Sequence, residues 1–250
     1  MELTQLAFDT DEGFGPRARI GLVVLETDQT LEMEARSLPV DGVAWYHARI
    51  PMEPEVTPTT LTDMEARLPV AAGLLPSDFD FSAIGYGCTS AATLIGADAI
   101  TAGIQSVHPG MACTNPISAA VAAFRALGKE RIAVVTPYTA DVTAPVVDLF
   151  GEHGVTVTAV GSFLESSDLV VARISEASVA AGVRKIAAQG ECDAVFVSCT
   201  SLRLFGVVAE LEAELGVPVV SSNLALLWQL LRLAGVDDQL DGLGTLFATC

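Results

Sequence analysis

Uninterrupted apolar runs recur along the chain and set its fold class. Arg19-Ile20-Gly21-Leu22-Val23-Val24, Arg131-Ile132-Ala133-Val134-Val135, Ala194-Val195-Phe196-Val197 and Val217-Pro218-Val219-Val220 are short and rich in Val, Ile and Ala. Continuous rather than alternating apolar character suits strands buried on both faces, as in a parallel sheet with crossover helices. Longer Ala/Leu/Glu-rich stretches between them predict helices over 60–68, 116–127, 144–152, 175–189 and 201–215, several stopping at or near a glycine. The pattern reads as α/β.

The pattern also repeats. Arg19-Ile20 and Arg131-Ile132 each open a buried strand, a step of 112 residues. Gly87-Cys88-Thr89-Ser90 and Ser198-Cys199-Thr200-Ser201 each close an apolar run, a step of 111 from Cys88 to Cys199. Two landmarks at nearly one offset favour a duplication. The expectation is two similar lobes, each a parallel sheet flanked by helices, related by a pseudo-two-fold axis with the active site between them. Residues 1–112, completed by 222–250, would form the first lobe and 113–221 the second. Ligands of open parallel sheets gather at the carboxyl ends of strands, where both Cys-Thr-Ser elements fall.

Composition narrows the function. With 51% hydrophobic residues among 250, the chain can bury a sizeable core. Its 31 acidic against 13 basic residues, a formal charge of −18, oppose binding to nucleic acid or anionic lipid. The first residues carry no cationic segment followed by an apolar one, and no run is long enough to span a bilayer, so a cytoplasmic protein is expected. Cys88, Cys113, Cys192, Cys199 and Cys250 are odd in number and widely spaced, which favours reduced thiols. No CxxC or HExxH is present, and His47, His108 and His153 share no ligand spacing; neither metal nor cofactor is expected.

Any single cysteine is more often a small buried hydrophobe than a reagent, and Cys113, Cys192 and Cys250 are read that way. The repeated context separates Cys88 and Cys199. Each follows a buried strand and precedes an expected helix, whose free N–H groups would favour a thiolate by lowering the thiol pKa. Two thiols on opposite faces of a small carboxylate suit cofactor-free inversion: one removes a proton, the other returns one, and N–H groups near Thr89, Ser90, Thr200 and Ser201 hold the enolate-like charge.

These elements resemble the aspartate/glutamate racemase superfamily, particularly its branch of maleate cis-trans isomerase and arylmalonate decarboxylase, along nearly the whole chain from Arg19 to about Val236. The resemblance implies that racemases and maleate isomerases keep both cysteines, whereas decarboxylases keep only the second; both are present here. Thr136-Pro137-Tyr138 is similar to the segment bearing the isomerase's active-site tyrosine, which implies a substrate contact for Tyr138; a structural loop tyrosine is the alternative. Asp28 and Asp168 stand where the isomerases carry carboxylate-binding asparagines. An ionised aspartate only accepts hydrogen bonds, so the two acids point to a substrate bearing an ammonium, amidine or hydroxyl group, unless they are solvated loop acids. Leu25-Glu26-Thr27-Asp28-Gln29-Thr30, with both cysteine segments, resembles most the ectoine-utilisation EutA proteins.

The expected function is a cofactor-independent racemase, epimerase or isomerase for a small nitrogen-bearing carboxylate, with ectoine or hydroxyectoine breakdown as a setting. Cys88 and Cys199 are the acid/base or nucleophile pair, Tyr138 a supporting donor, and Asp28 and Asp168 the selectors. One alternative is maleate-type isomerisation by covalent addition of Cys88; another is a two-lobed solute-binding protein. Asn115-Pro116 fits a turn into a helix, with ligand contact possible from its place between the lobes. The proline-containing loop 51–59 could cover the cleft. Trp45, Tyr46 and His47 read as core or edge-strand residues. The apolar segment 224–233 reads as a buried helix, with burial in a dimer as the alternative; a homo-oligomer is expected.

Overall fold

The chain opens with β1 (Ala18–Leu25), α1 (Leu31–Ser37) and β2 (Val43–Ile50), then α2 (Pro58–Thr62), a 3-10 turn at Glu65–Arg67, and α3 (Leu68–Ala72). β3 (Ala83–Gly87), α4 (Thr89–Ile95), α5 (Ala97–Gln105) and β4 (Cys113–Thr114) follow. α6 (Pro116–Leu127) leads into β5 (Arg131–Thr136), α7 (Ala140–Glu152), β6 (Thr156–Ser162), α8 (Asp168–Val171) and α9 (Glu176–Ala187). β7 (Ala194–Val197), α10 (Val208–Leu215), β8 (Val219–Ser221), α11 (Ser222–Leu233) and α12 (Thr245–Ala248) complete the order. These elements come from a computed structural model that describes residues 1, 3–53 and 55–249; Cys250, and Pro54 of the loop 51–59, lie outside the described residues.

Two four-stranded sheets form, β2-β1-β3-β4 and β6-β5-β7-β8, every pairing parallel. The identical strand order gives the duplication its structural form. β1 and β5 lie at the centre with partners on both sides, which is why their sequences are continuously apolar. Gly87 ends β3 beside Val24, and Val197 ends β7 beside Val135, so Cys88 and Ser198-Cys199 leave equivalent carboxyl edges. β4 pairs with β3 and carries the first sheet to Thr114, past the expected boundary at 112. α11 packs on β3, β4 and α6, while α6 touches β8. Leu224, Leu226, Leu227, Leu230 and Leu231 are fully buried within the single chain, so burial of this segment needs no dimer.

Several local expectations change. The helix expected over 60–68 is broken into α2, the 3-10 turn and α3; Thr57 caps α2 ahead of Pro58, and Pro69 lies at the start of α3. α7 begins at Ala140, four residues ahead of the expected start at 144, and carries Pro145 inside it. The helix expected over 201–215 covers only Val208–Leu215, because the residues after Cys199 are held in a tied loop. Trp45, Tyr46 and His47 lie on edge strand β2, where Tyr46 meets Phe79 and Phe81 edge-on. Cys113 and Cys192 are half-buried rather than core residues. No helix among the described residues is long and apolar enough to cross a membrane.

Candidate active site

Cys88 stands at the N-cap of α4 with φ −142°, an ordinary extended backbone. Its sulfur takes backbone N–H groups of Ser90 and Ala91 and lies 3.7 Å from Ser90 Oγ. Cys199 differs: no helix follows it directly, and its φ is +109°, a region that a side chain with a Cβ disfavours. Ser201 N–H points at its sulfur over 3.4 Å. The helix N-terminus expected for both thiols therefore exists at Cys88 alone.

Tyr138 follows β5 and is buried, its backbone N–H bonded to Thr136 Oγ1 at 3.1 Å and its carbonyl accepting from Ser162 and Thr143. Its hydroxyl reaches Cys199 as donor and Ser90 as acceptor, and so links the two cysteine segments. Tyr138 thus reaches from the end of the second sheet toward residues that follow the first.

Asp168 opens α8 in a buried position. Ser201 Oγ donates to one carboxylate oxygen at 2.8 Å and Thr27 Oγ1 donates to the other. Its negative charge opposes ionisation of both Cys88 and Cys199. Asp28 is engaged otherwise: its carboxylate accepts from Leu31 N at 3.0 Å, Glu32 N at 3.1 Å and Thr30 N at 3.4 Å, holding the start of α1. Burial raises its pKa, opposed by those amides and by Arg49. Of the two acids expected to select substrate, Asp168 faces the thiols and Asp28 is occupied by backbone.

The neighbouring hydroxyls mostly lock the two sheets together. Thr89 Oγ1 bonds Ser222 Oγ at 2.8 Å, Thr200 Oγ1 donates to Gly87 O at 3.2 Å, and Thr30 Oγ1 donates to Ser201 O at 2.9 Å. Cys199 N–H also donates to Ser222 Oγ at 3.0 Å. Asn115 caps α6, its Oδ1 accepting from Ser118 N at 3.0 Å and its Nδ2 donating to Ser118 Oγ at 3.0 Å. The loop that could cover the cleft meets the segment beside Asp168: Val56 N donates to Ser166 O at 3.2 Å, and Glu55 bridges Ser167. Ser222, Thr27, Glu34 and Asn223 were not singled out from the sequence, because small polar residues and one acid among 31 acidic residues carry no local signal.

Both thiols are nearly closed off, Cys88 at 4% and Cys199 at 5% exposure. Burial pushes Cys88 up to about 11 and Cys199 up to about 12. The expected lowering of the thiol pKa is thereby reversed. Amide donors at Ser90, Ala91 and Ser201 and the Tyr138 hydroxyl favour the thiolate, but desolvation outweighs them.

The family model for arylmalonate decarboxylase matches residues 97–247, more than half of the chain. The chain belongs to the arylmalonate decarboxylase family. Arylmalonate decarboxylase of Bordetella bronchiseptica is 35% identical over 127 residues, which are 50% of this chain and 53% of that enzyme, so the match takes in about half of that relative's length. Maleate isomerase of Pseudomonas putida is 25% identical over 244 residues, covering 92% of this chain and 97% of the relative. Among solved structures, a cysteine-to-alanine variant of a Pseudomonas putida maleate isomerase with maleate superposes with TM-score 0.82 at 25% identity, covering 93% of this chain and 98% of that one. A two-position variant of arylmalonate decarboxylase in its liganded form gives TM-score 0.83 at 25% identity over 92% and 98%. The α/β architecture of two parallel four-stranded sheets is that of this family, and the chain is an enzyme of it.

Proposed function

We propose that this member of the arylmalonate decarboxylase family is a cofactor-independent cis-trans isomerase of a small unsaturated carboxylic acid, working by covalent addition of Cys88. The observation that carries this reading is that Cys88, Cys199 and Tyr138, which follow strands of the two sheets, are buried together, with the Tyr138 hydroxyl on Cys199. Two thiols have little use in a plain decarboxylation, and the maleate isomerase relative aligns over nearly the whole chain.

The Cys88 thiolate forms a C–S bond to one alkene carbon, and the π pair moves to the other carbon as a carboxylate-stabilised carbanion. The Cys199 thiol, bonded to the Tyr138 hydroxyl, gives that carbon a proton. The remaining C–C single bond rotates, Cys199 takes the proton back, and the C–S bond breaks to leave the trans alkene. Incubation of the Cys199→Ser variant with maleate, followed by peptide mass spectrometry, is expected to find a succinyl-type adduct on Cys88. Wild-type protein that converts no cis-unsaturated acid, with Cys88 unmodified in the variant, rules this reading out.

Asp168 favours a second reading. A buried carboxylate beside both thiols opposes a dianionic substrate and suits one whose carboxylate is accompanied by a nitrogen cation, as in a racemase or epimerase of the kind ectoine or hydroxyectoine breakdown could employ. Deuterium entering the α-carbon of such an acid from heavy water, without any thiol adduct, supports this second reading over the first.

A further inference from the structure

Cys199 keeps a backbone conformation that its own residue type disfavours, φ +109°, so its surroundings must impose it. Cys88 has no such need, at φ −142° on the first turn of a regular helix. What surrounds the Cys199 loop is therefore more than packing.

Asn223, fully buried on α11, donates through Nδ2 to Thr200 O at 3.0 Å, and through the same nitrogen to Glu34 Oε2 at 2.6 Å. The Glu34 side chain reaches from α1, and its other oxygen accepts Leu204 N at 3.4 Å; Phe205 N–H also bonds this carboxylate. One carboxylate thus grips both ends of the loop, the near end through Asn223 and the far end directly. A carboxylate is the natural centre of such a bracket because every group that meets it is a donor, and it can accept them all. Glu34 touches neither thiol and is not used in the chemistry above. Its outer side meets a cavity of about 190 Å³ lined by Gln29, Thr30, Met33, Glu176, Arg203 and Phe205, away from the cysteines.

We infer that Glu34, with Asn223, is a positioning residue that holds the Cys199 loop in its strained conformation and so aims the Cys199 sulfur at the shared space. The inference rests on Cys199 being a reacting thiol, but its test needs no turnover and stays separate from any failure of the proposed isomerisation. Glu34→Gln places an NH₂ group against one of the donors, and Asn223→Ala removes the link to Thr200 O.

The experiment measures the alkylation rates of Cys199 and Cys88 separately, by peptide mass spectrometry with iodoacetamide on the full chain. In either variant the Cys199 rate is expected to rise tenfold or more while that of Cys88 stays within twofold. Equal change at both thiols, or none at Cys199, overturns the inference. If a variant is less stable, the ratio of the two rates below its melting temperature still decides, because global unfolding exposes both thiols alike. The double variant Glu34→Gln/Asn223→Asp can restore the bond between positions 34 and 223 and the acceptor for Leu204 N, but not the donor to Thr200 O. A carboxylate oxygen at position 223 opposes Thr200 O, so Cys199 is expected to stay reactive in this variant; a return of Cys199 to its wild-type rate would make Glu34 and Asn223 ordinary stabilising residues.

Discussion

Replacing Asp168 by Asn removes one negative charge that acts on both thiols, with almost no change of shape. The hydroxyls of Thr27 and Ser201 that now donate to the carboxylate can each donate or accept, so an amide finds partners for both its ends. At an effective dielectric constant of about 20, two unit charges about 6 Å apart repel by about 3 kcal/mol, or about two pKa units, which is taken as the upper bound for the repulsion removed. For Cys199, held near 12, Asp168 is the largest influence after burial; for Cys88, near 11, amide and hydroxyl donors outrank it. Taking away a negative charge lowers a thiol pKa, and at pH 8 each unit multiplies the thiolate fraction about tenfold. The intrinsic nucleophilicity falls as the pKa falls, with a slope of about 0.4–0.5, so the net gain is roughly threefold per unit. A small disulfide reagent should thus modify Cys199 of the Asp168→Asn protein about three to ten times faster than in wild type, and Cys88 about twofold faster, with circular dichroism unchanged. A Cys199 rate that stays level or falls refutes the electrostatic reasoning.

Tyr138→Phe removes the hydroxyl that meets Cys199 and Ser90 while keeping the buried ring; turnover is expected to fall by roughly 10–100-fold, with the melting temperature within a few degrees of wild type. Burial raises Glu34 to about 7 from an ordinary 4.5, so its contribution to stability is fully present below pH 4.5 and is lost as pH rises through 7. The span corresponds to at most about 3 kcal/mol, and urea midpoints at pH 5 and 8 should differ more in wild type than in Glu34→Gln. A Cβ on Gly87 would come within 2.6 Å of Leu31 Cδ2 and 3.3 Å of Val23 O. Gly87→Ala is accordingly expected to cost about 1–3 kcal/mol in denaturant unfolding and to lower turnover by displacing Cys88.

The central strands and the duplication were legible in sequence for one reason: a strand covered on both faces must be apolar throughout, as β1, β3, β5 and β7 are. The same reasoning could not see β2 and β6, whose edge positions leave them half-exposed and mixed in composition, nor the two-residue β4. Asn115 and Pro116 marked the start of α6 because cap and first-turn chemistry are local, and Gly128 in the left-handed region marked its end.

The cysteine pair was also written in the sequence, as a repeated Cys-Thr-Ser at the ends of equivalent strands. Their ionisation was not. A helix N-terminus is a local device that lowers a thiol pKa, whereas the desolvation that outweighs it comes from burial in the folded chain, which local sequence does not specify. In the same way Asp28 and Asp168 look alike along the chain, yet backbone amides claim the first while hydroxyls from both sheets hold the second against the thiols. The chain by itself pointed to the residues proposed to carry chemistry; the meeting of the two sheets decided how deeply those residues are buried and which neighbours fix them, because burial and cross-sheet hydrogen bonds exist only once the lobes close.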